Sequence, residues 1–383
     1  MATTEEIINT IRDNQETDYA ERVPAYNKDN LVQIGNAITS DKNITNSFMS
    51  ALINKVGESN IKSKIFKSKI APLKKGNTKP YGYTIEELFI NPATDIGYQT
   101  DPTYLLKNTT PDGKVAYYGL NRKSEYPCSR SKMDLMQAFT SESAFTNFYD
   151  GIVNSLYSGD NIDEYLLAKY MFAKNIDEGH ILKIESDINN PKTLAESITN
   201  VAKYMTEPTR VFAPYNYINE NKFTAGEKKV ITFTQVPDIV LLVRHDVMTK
   251  LNYEVLATYF QLPLVQLKMQ TIEIDNFPTD SNFDCYAMLI DNSGCQIRDT
   301  LIESDSQYIP SSLLINNWLH HWQYQYLSCF ANVCCFGKTK NHAGSTQNTE
   351  GKTLTMDELA KETTKDQQEI QKDRIKKITN TTK

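Results

Sequence analysis

A long alternation of aromatic and polar residues constrains the fold of this chain more than any other feature. Between Asn316 and Phe336 the aromatic side chains fall on even positions, at Trp318, Trp322, Tyr324, Tyr326 and Phe330. A period of two residues is typical of β-strands, because successive side chains point to opposite faces. The alternation continues well beyond the common strand length of about five or six residues. The sequence therefore predicts unusually long or bent strands, which suit an extended architecture.

Strand and helix patterns follow one another in the preceding part of the chain, which indicates a mixed α and β protein. Strands are predicted over residues 238–244, 272–276, 285–291 and 296–303. Helices are predicted after the capping-box pair Thr3 and Glu6, and over residues 44–56, 193–205 and 246–260. Gly57 is the predicted stop of the second helix, and a Thr193-x-x-Glu196 box starts the third. Residues 19–30 are predicted to be extended.

The clearest helical pattern lies between residues 144 and 157. Apolar side chains recur there with the i, i+3, i+4, i+7 spacing of an amphipathic helix, at Ala144, Phe145, Phe148, Tyr149, Ile152, Val153, Leu156 and Tyr157. Ser141 or Ser143 is a suitable N-cap, and Gly159 is a suitable terminator. A second helix is predicted to begin at Asp160 and to include Met171.

Residues 61–79 form a basic segment with seven lysines and no acidic residue. Lysine alternates with serine or an aliphatic residue in 62–65 and 67–70, which predicts strands. The next limb, residues 81–98, is acidic and aromatic, so the two limbs together predict a long excursion with its own turn. The favoured interpretation of the basic segment is a contact with another subunit. The alternatives are a solvated edge that lysine protects from aggregation, and a nucleic-acid site.

Charge and composition disfavour several broad classes of protein. The 41 lysine and arginine residues against 47 aspartate and glutamate residues give a net charge of −6, which disfavours a general electrostatic grip on nucleic acid or anionic lipid. The N-terminus has no apolar stretch typical of a signal peptide, and the longest aliphatic run, residues 239–243, is far too short to cross a bilayer. The six cysteines form no Cys-x-x-Cys pair, which is typical of free thiols in a reducing cytoplasm.

The motifs of the common enzyme classes are missing from the sequence. It contains no phosphate-cradling glycine loop, no Gly-x-Ser-x-Gly elbow and no His-Glu-x-x-His pair. His320 and His321 are adjacent in a predicted strand, so they face opposite sides and cannot hold one metal ion together. We expect one of them within an aromatic face and the other outward. Three cysteines are expected to be buried apolar thiols rather than metal ligands, namely Cys329, Cys334 and Cys335.

Two pairs of neighbouring carboxylates are equally poor candidates for catalysis. Glu86 and Glu87, and likewise Asp163 and Glu164, are adjacent in the sequence and do not face each other as general acid and base must. The sequence therefore predicts no catalytic residue, no cofactor and no metal site.

The composition changes after Gly337. Residues 338–383 contain no aromatic residue and are rich in lysine, threonine, glutamine and glutamate. A Thr355-x-x-Glu358 box allows a marginal helix. The segment is predicted to be a mobile tail or a partner-docking arm.

Seven segments, taken in order along the chain, carry a family resemblance. They are residues 19–30 (YAERVPAYNKDN), 48–57 (FMSALINKVG), 73–76 (LKKG), 82–87 (GYTIEE), 148–165 (FYDGIVNSLYSGDNIDEY), 255–260 (VLATYF) and 322–336 (WQYQYLSCFANVCCF). In this order they resemble the major capsid proteins of small podophages of the phi-29 type. The resemblance spans roughly residues 19–336.

The resemblance implies an α+β fold, the Johnson or Hong Kong 97-type fold of tailed-phage capsids. The implied parts are an N-terminal arm with helices (1–60), an elongated β-hairpin loop across an adjacent subunit (61–105), a peripheral domain (106–180 and 301–337) with a long spine helix (143–158), an axial α/β domain (181–300) and a polar C-terminal tail (338–383). No immunoglobulin-like C-terminal domain is expected, because the polar tail occupies its position.

The implied function is that of a major capsid protein whose copies form the pentamers and hexamers of an icosahedral or prolate head around double-stranded DNA. The implied partners are other copies of the chain, a scaffolding protein during assembly, a portal protein at one vertex and weakly bound packaged DNA, without a membrane. The implied location is the virion shell, assembled in the host cytoplasm. Intersubunit contacts are expected on the elongated loop, at Lys62, Lys64, Lys67, Lys69, Lys74, Lys75, Glu86 and Glu87. A tail-tube, connector or other virion protein and, more remotely, a cytoplasmic enzyme of unrecognised class are the alternatives.

Overall fold

The alternating segment forms half of the longest antiparallel strand pair in the computed structural model. The structure describes residues 4–15, 17–27, 30–58, 66–77, 84–94, 110–218, 229–258, 269–279, 283–339 and 351–379. Strand β9 covers Cys295–Ile309 and β10 covers Leu314–Leu327. The stretch predicted to continue to Phe336 is two strands, because residues 328–332 turn the chain before β11, Val333–Thr339.

These two long strands lie at the centre of a four-stranded sheet with the order β1-β9-β10-β4. Strand β1, Lys74–Asn77, runs parallel to β9, and β4, Arg122–Ser131, runs antiparallel to β10. The alternation predicted the strand but not its buried face. In the first two-thirds of β10 the buried side chains are the odd-numbered ones, whereas the tryptophans on the even face are only half-buried.

A single 36-residue helix, α6, covers Glu142–Asp177 and packs against β4 and β10. Ser141 caps it as predicted, since its hydroxyl accepts a hydrogen bond from the Ala144 N–H at 3.2 Å. The predicted stop at Gly159 is wrong. An interior glycine costs only about 1 kcal/mol relative to alanine, and the next residue, Asp160, is ion-paired to the sheet. Neither α6 nor any other described helix is both long and apolar enough to cross a membrane.

Five shorter helices form a layer against α6 and the four-stranded sheet. They are α1 (Thr4–Asn14), α2 (Thr17–Arg22), α3 (Leu31–Ser40), α4 (Lys42–Glu58) and α5 (Lys132–Ala138). Phe48, Phe145 and Ile315 belong to the apolar core that this layer shares with α6 and β10. The predicted helices near the N-terminus and over 44–56 are confirmed as α1 and α4. Residues 17–22 are helical rather than extended, because Tyr19 and Val23 pack into the same core.

The second sheet has six strands in the order β12-β5-β11-β8-β6-β7. Besides β11, its strands are β5 (Leu182–Glu185), β6 (Ile239–Arg244), β7 (Gln270–Ile274), β8 (Phe283–Asp291) and β12 (Thr353–Leu354). Helices α7 (Pro191–Thr206) and α9 (His245–Thr258) contribute to the core on one face, and a short α8 covers Pro214–Ile218. The cap of α7 is Asn190, whose side chain accepts from the Thr193 N–H, so the predicted Thr193 box is wrong.

The described part of the C-terminal segment is packed on the six-stranded sheet. Strand β12 pairs with β5, and helix α10 covers Met356–Thr379. The predicted Thr355–Glu358 capping box is confirmed, but the predicted mobile tail is wrong for these residues, because Leu359 is fully buried in the core. Gly351 adopts a φ of +95°, and a Cβ there would lie 2.5 Å from the Gly179 Cα. Glycine is therefore required where the segment meets the end of α6.

A separate two-stranded ribbon is formed by β2, Thr84–Ile90, and β3, Gly113–Gly119. The described parts of the basic segment and the acidic limb do not pair with each other, since β1 pairs with β9 and β2 pairs with β3. Residues 67–70 are not a strand: they form an irregular stretch and a turn that lead into a 3-10 turn at Ala71–Leu73. Pro72 favours this turn because its φ is fixed and it has no N–H for a ladder. The strand predicted over 62–65 lies outside the described residues.

Candidate assembly surface and the neighbouring ionic cluster

The ribbon of β2 and β3 turns one face away from the rest of the chain. The exposed side chains on this outer face are Glu86, Leu88, Ile90, Val115 and Tyr117. Leu88 lies directly opposite Val115 in the ladder, and the two side chains are 63% and 41% exposed. Tyr117 is 67% exposed. Contiguous apolar surface of this kind is a candidate binding surface.

The inner face of the ribbon packs against the C-terminal end of β10 and the turn that follows it, residues 328–332. Tyr118 stacks on Tyr326 with ring centroids 3.9 Å apart, and Phe89 stacks on Phe330 at 5.4 Å. The Glu87 carboxylate accepts a hydrogen bond from the Tyr326 hydroxyl at 3.0 Å. Burial and the charge of Glu87 raise the pKa of Tyr326 well above its ordinary value, so the phenol keeps the proton that it donates. The ribbon is thus anchored on one face and open on the other.

A groove of about 520 Å³ runs along the base of the ribbon. Its walls include β2, residues 231–233 and the turn at 328–331. Ile90 and Phe233 line it and are 54% and 58% exposed. The groove therefore extends the apolar surface from the ribbon toward the second sheet.

The residues predicted to contact another subunit fall into two groups in the structure. The exposed ones are Lys67, Lys69 and Glu86, and of these the Lys69 Nζ lies 2.9 Å from His245 Nε2. Those bound within the chain are Lys74, Lys75 and Glu87. The Lys75 Nζ donates to Asn292 Oδ1 at 2.6 Å, and Lys74 is part of a buried cluster. Lys62 and Lys64 lie outside the described residues. The structure therefore does not bring the six described residues together as one patch.

A buried ionic cluster lies between α6 and the four-stranded sheet. Its members are Lys74 on β1, Arg122 on β4, Asp160 and Glu164 on α6, Asp299 on β9, and His321 and Gln323 on β10. All except Lys74 are buried. With the histidine protonated, three cations balance three carboxylates. This balance matters because an unpaired buried charge is strongly destabilising.

The imidazole of His321 lies between two carboxylates. Its Nδ1 is 2.7 Å from Asp160 Oδ1, and its Nε2 is 3.0 Å from Asp299 Oδ1. Burial alone lowers the pKa of His321, but hydrogen bonds to both carboxylates outweigh burial and raise the pKa above its ordinary value. Burial alone raises the pKa of Asp299, but its hydrogen bond with His321 and the charge of Lys74 lower that pKa to about 2. Both shifts favour the charged form of the group.

Arg122 and Lys74 supply the other two positive charges that balance the carboxylates of the cluster. The Arg122 Nη2 donates to Asp160 Oδ1 at 2.6 Å. The Lys74 Nζ is 2.8 Å from Glu164 Oε2 and 3.2 Å from Asp299 Oδ2. Burial alone lowers the pKa of Lys74, but the charges and hydrogen bonds of Glu164 and Asp299 together outweigh burial and raise the pKa. The cluster connects α6 to three strands of the sheet through charge-assisted hydrogen bonds, which are the stronger kind.

The chemistry of the cluster is that of a structural junction. Glu164, Asp299 and His321 offer atoms within 4.8 Å of one another, close enough to surround a metal ion. However, both carboxylates already accept hydrogen bonds from Gln323, at 2.8 and 2.6 Å, and pair with Lys74. The lysine thus supplies the positive charge that a metal ion would bring.

The cysteines on β11 behave as apolar side chains. Cys334 and Cys335 are both buried and belong to the cores on opposite faces of the six-stranded sheet. Burial raises the pKa of Cys334 well above its ordinary value and that of the half-buried Cys329 to about 11. Protonated thiols bind metals poorly, and the expectation of buried apolar thiols is confirmed for Cys334 and Cys335.

The sequence analysis missed the ionic cluster. It placed the inward histidine on the aromatic face, but His320, which shares that face, is the more exposed of the two, and His321 is buried among charges. One signal could have found the cluster. Asp160 and Glu164 continue, at four-residue spacing, the buried stripe of α6 that contains Leu156. Carboxylates in such a stripe require buried cationic partners.

Comparisons with known proteins agree with this architecture. The family model described as Phi29-like phage major capsid protein matches residues 8–337. The chain is similar to the major capsid protein of Bacillus phage B103, with 26% identity over 334 residues, 86% of this chain and 72% of that protein. It is 23% identical over 350 residues to the major capsid protein of Streptococcus phage Cp-1, covering 86% and 92% of the two chains. The capsid structure of Staphylococcus phage Andhra matches with a TM-score of 0.57 and 15% identity over 74% of this chain and 87% of that chain, which shows a shared fold.

Proposed function

The chain belongs to the family of Phi29-like phage major capsid proteins, and we propose that its copies assemble through the ribbon into the pentamers and hexamers of an icosahedral or prolate head around double-stranded DNA. As a major capsid protein it is a structural component of the virion shell. A single kind of subunit can build a shell because every copy offers the same surfaces to its neighbours, and symmetry closes the contacts.

The open apolar face of the ribbon is the observation that carries this assembly route. Leu88 and Val115 form an exposed cross-strand pair, and Ile90 and Tyr117 extend it in both directions along the ribbon. An isolated two-stranded ribbon has no second layer to cover such a face. The groove at its base, with Phe233, enlarges the apolar area. A neighbouring subunit that covers this surface removes it from water, which favours association.

Charged residues of the loop are proposed to border this contact. The residues with exposed side chains near it in the chain are Lys67, Lys69 and Glu86, and Lys62 and Lys64 belong to the same proposed set by sequence. Charges at the rim of an interface mainly set the encounter rate and the register of two subunits. Lys74, Lys75 and Glu87 support the contact from within, because their partners hold the ribbon and its approach segment in place.

The subunit is proposed to divide into the parts that the family resemblance implies. Residues 106–180 and 301–337, which hold α6 and most of the four-stranded sheet, form the peripheral domain. Residues 181–300, which hold most of the six-stranded sheet, form the axial domain. Residues 61–105 form most of the elongated loop, and residues 1–60 form the N-terminal part. Helix α10 packs with the core of the axial sheet, so the described part of 338–383 is assigned to the axial side.

Further partners are proposed from the family and from charge. A scaffolding protein during assembly and a portal protein at one vertex are proposed alongside the packaged DNA. The net charge of −6 supports weak, non-specific contact with that DNA, because a strongly basic lining would hold the polymer by its phosphates. The protein is proposed to act without catalysis, since its curated relatives are named as capsid proteins.

Electron microscopy of a ribbon variant tests the proposal. The variant carries Leu88→Asp and Val115→Asp, and the matched control carries Val32→Asp, an exposed apolar position on α3 that is 56% exposed. Each protein is co-expressed with the scaffolding protein of the same genome. We expect the wild type and the control to form closed shells, and the ribbon variant to give folded, unassembled subunits with an unchanged melting temperature. Normal shells from the ribbon variant would contradict the assembly route, and stacked rings from the wild type would contradict the closed shell.

A further inference from the structure

The ionic cluster holds both points at which the chain enters and leaves the ribbon. Strand β1 starts at Lys74 and precedes β2 in the chain, and β4 starts at Arg122, with two residues between it and the end of β3 at Gly119. Lys74 is paired with Glu164, and Arg122 is paired with Asp160, so both are fixed to the same helix, α6. We call residues 74–77 and 122–125 the roots of the ribbon. The cluster therefore fixes the two described segments that flank the ribbon in the chain.

We propose that His321 controls how firmly the two roots are held: its protonated form fixes both to α6, and loss of its proton loosens them. The charged groups that face this imidazole are Asp160 and Glu164 from α6, Asp299 from β9, Arg122 from β4 and, through Asp299, Lys74 from β1. The proton is released to solvent, and no other covalent bond breaks. The inference concerns the isolated subunit and does not depend on the proposed shell.

The hydrogen-bond geometry supports a protonated ring. Each nitrogen of His321 faces a carboxylate, Asp160 on one side and Asp299 on the other, and only the imidazolium form donates from both nitrogens. A neutral ring would direct one lone pair at a carboxylate oxygen. The Arg122 Nη1, 3.5 Å from Nδ1, opposes the second proton, but its guanidinium is itself engaged by Asp160 and by Gln323.

Deprotonation also unbalances the charge of the cluster. Three carboxylates would then face two cations, Lys74 and Arg122, inside the protein. Because the cations bind the same carboxylates as the histidine does, the excess negative charge disturbs the contacts of both roots. The nearby Tyr126 hydroxyl, which accepts from Arg122 at 3.0 Å and donates to Asp163 at 2.9 Å, cannot supply the missing charge.

The direction of the pH effect follows from the environment of the ring. Since the folded state raises the pKa of His321 above its ordinary value of about 6.5, its stabilising effect is complete below that value. It is lost as the pH rises through the higher pKa of the folded protein. The roots are therefore held most firmly below about pH 6.5 and loosen as the pH rises through the pKa of the folded protein. Each unit of difference between the folded and unfolded pKa values corresponds to about a tenfold change in the folding equilibrium.

Histidine-selective NMR of the full-length, unassembled chain is the first test. The protein has five histidines, and single glutamine variants of the other four assign the His321 signal without changing it. The matched control is His320→Gln, on the same strand, with a side chain 29% exposed against 2% for His321. We expect the His321 signal to titrate above pH 6.5. Titration at or below the ordinary value would overturn the proposal, and this result needs no His321 variant to fold.

Hydrogen exchange at the roots is the second test. Exchange of peptides covering 74–77 and 122–125 is compared at pH 6 and pH 9 after correction for intrinsic rates. We expect the wild type and His320→Gln to open about tenfold or more readily at pH 9, and His321→Gln to open readily at both values. Roots that open equally at the two pH values in the wild type, or a His321→Gln protein that keeps the wild-type pH dependence, would overturn the proposal.

Discussion

The six-stranded sheet buries apolar side chains on both faces, whereas the four-stranded sheet carries charged and amide side chains on its buried face. In β6 the odd and even residues from Ile239 to Val243 enter two different apolar cores. In β10 the buried residues include Asn317, His321 and Gln323. The first arrangement is held by burial of apolar area, which has no direction. The second depends on matched charges and hydrogen bonds, which are directional.

The two kinds of interaction therefore stabilise different parts of the subunit. Apolar packing fixes the body of the six-stranded sheet and tolerates changes that conserve volume. The ionic cluster fixes the direction in which the ribbon leaves the body, because it binds both roots to α6. It is also sensitive to single charges, since the removal of one partner leaves another buried and unpaired. Three substitutions test this difference between the two sheets.

Asp160→Asn should have the largest effect. The substitution keeps the shape of the side chain but removes the charge that Arg122 and His321 require. We expect the free energy of unfolding to fall by about 3–5 kcal/mol, measured by denaturant titration at pH 7. The control is Asp163→Asn on the exposed side of the same helix, where a change within about 0.5 kcal/mol is expected. Equal, small effects of the two substitutions would remove the distinction between the sheets.

Leu359→Ala should have an intermediate effect on the other sheet. Leu359 on α10 is fully buried in the core of the six-stranded sheet. We expect a loss of about 2 kcal/mol in the free energy of unfolding, the low end for such a truncation, because the helix can shift into the space. Limited proteolysis should release residues 351–379 sooner than in the wild type. An unchanged stability and cleavage rate would show that α10 does not contribute to this core.

Leu289→Met should have the smallest effect. Leu289 on β8 is buried in the same apolar core, and methionine has a similar volume. We expect the free energy of unfolding to fall by less than about 1.5 kcal/mol, again by denaturant titration. Leu289→Met and Asp160→Asn both conserve side-chain volume. Their difference in unfolding free energy therefore separates the loss of a charge from a change in side-chain shape. A loss as large as that of Asp160→Asn would mean that both interiors depend on detailed fit.

Three of the six strands in the second sheet, β6, β7 and β8, could be predicted because their signals are local. The strands at 238–244 and 285–291 are apolar runs of the length typical of fully buried strands, and the structure confirms them as β6 and β8. The continuation of α6 through Gly159 was missed because the contact that holds it, between Asp160 and Arg122, joins residues 38 positions apart. The docking of α10 was missed for the same reason, since a mostly polar helix reveals its few buried residues only when its partner surface is known.

The open face of the ribbon and the ionic cluster were not predicted from the sequence, for different reasons. The lysines of the basic segment were predicted to contact another subunit, but Lys74 and Lys75 bind within the chain. The exposed apolar residues, such as Leu88 and Val115, have the pattern of an ordinary half-buried strand. Only the structure shows that their apolar face is the open one. The family resemblance supplied the function without identifying this surface.

A cryo-electron microscopy reconstruction of the assembled shell tests the central claim most directly, because the claim concerns which surface joins the subunits. We expect the outer face of the ribbon, with Leu88, Val115 and Tyr117, to be covered by a neighbouring copy. We also expect both roots to be paired with α6 at neutral pH, as they are in the single subunit. A closed shell in which this face points into solvent, with its subunits joined elsewhere, would contradict the account.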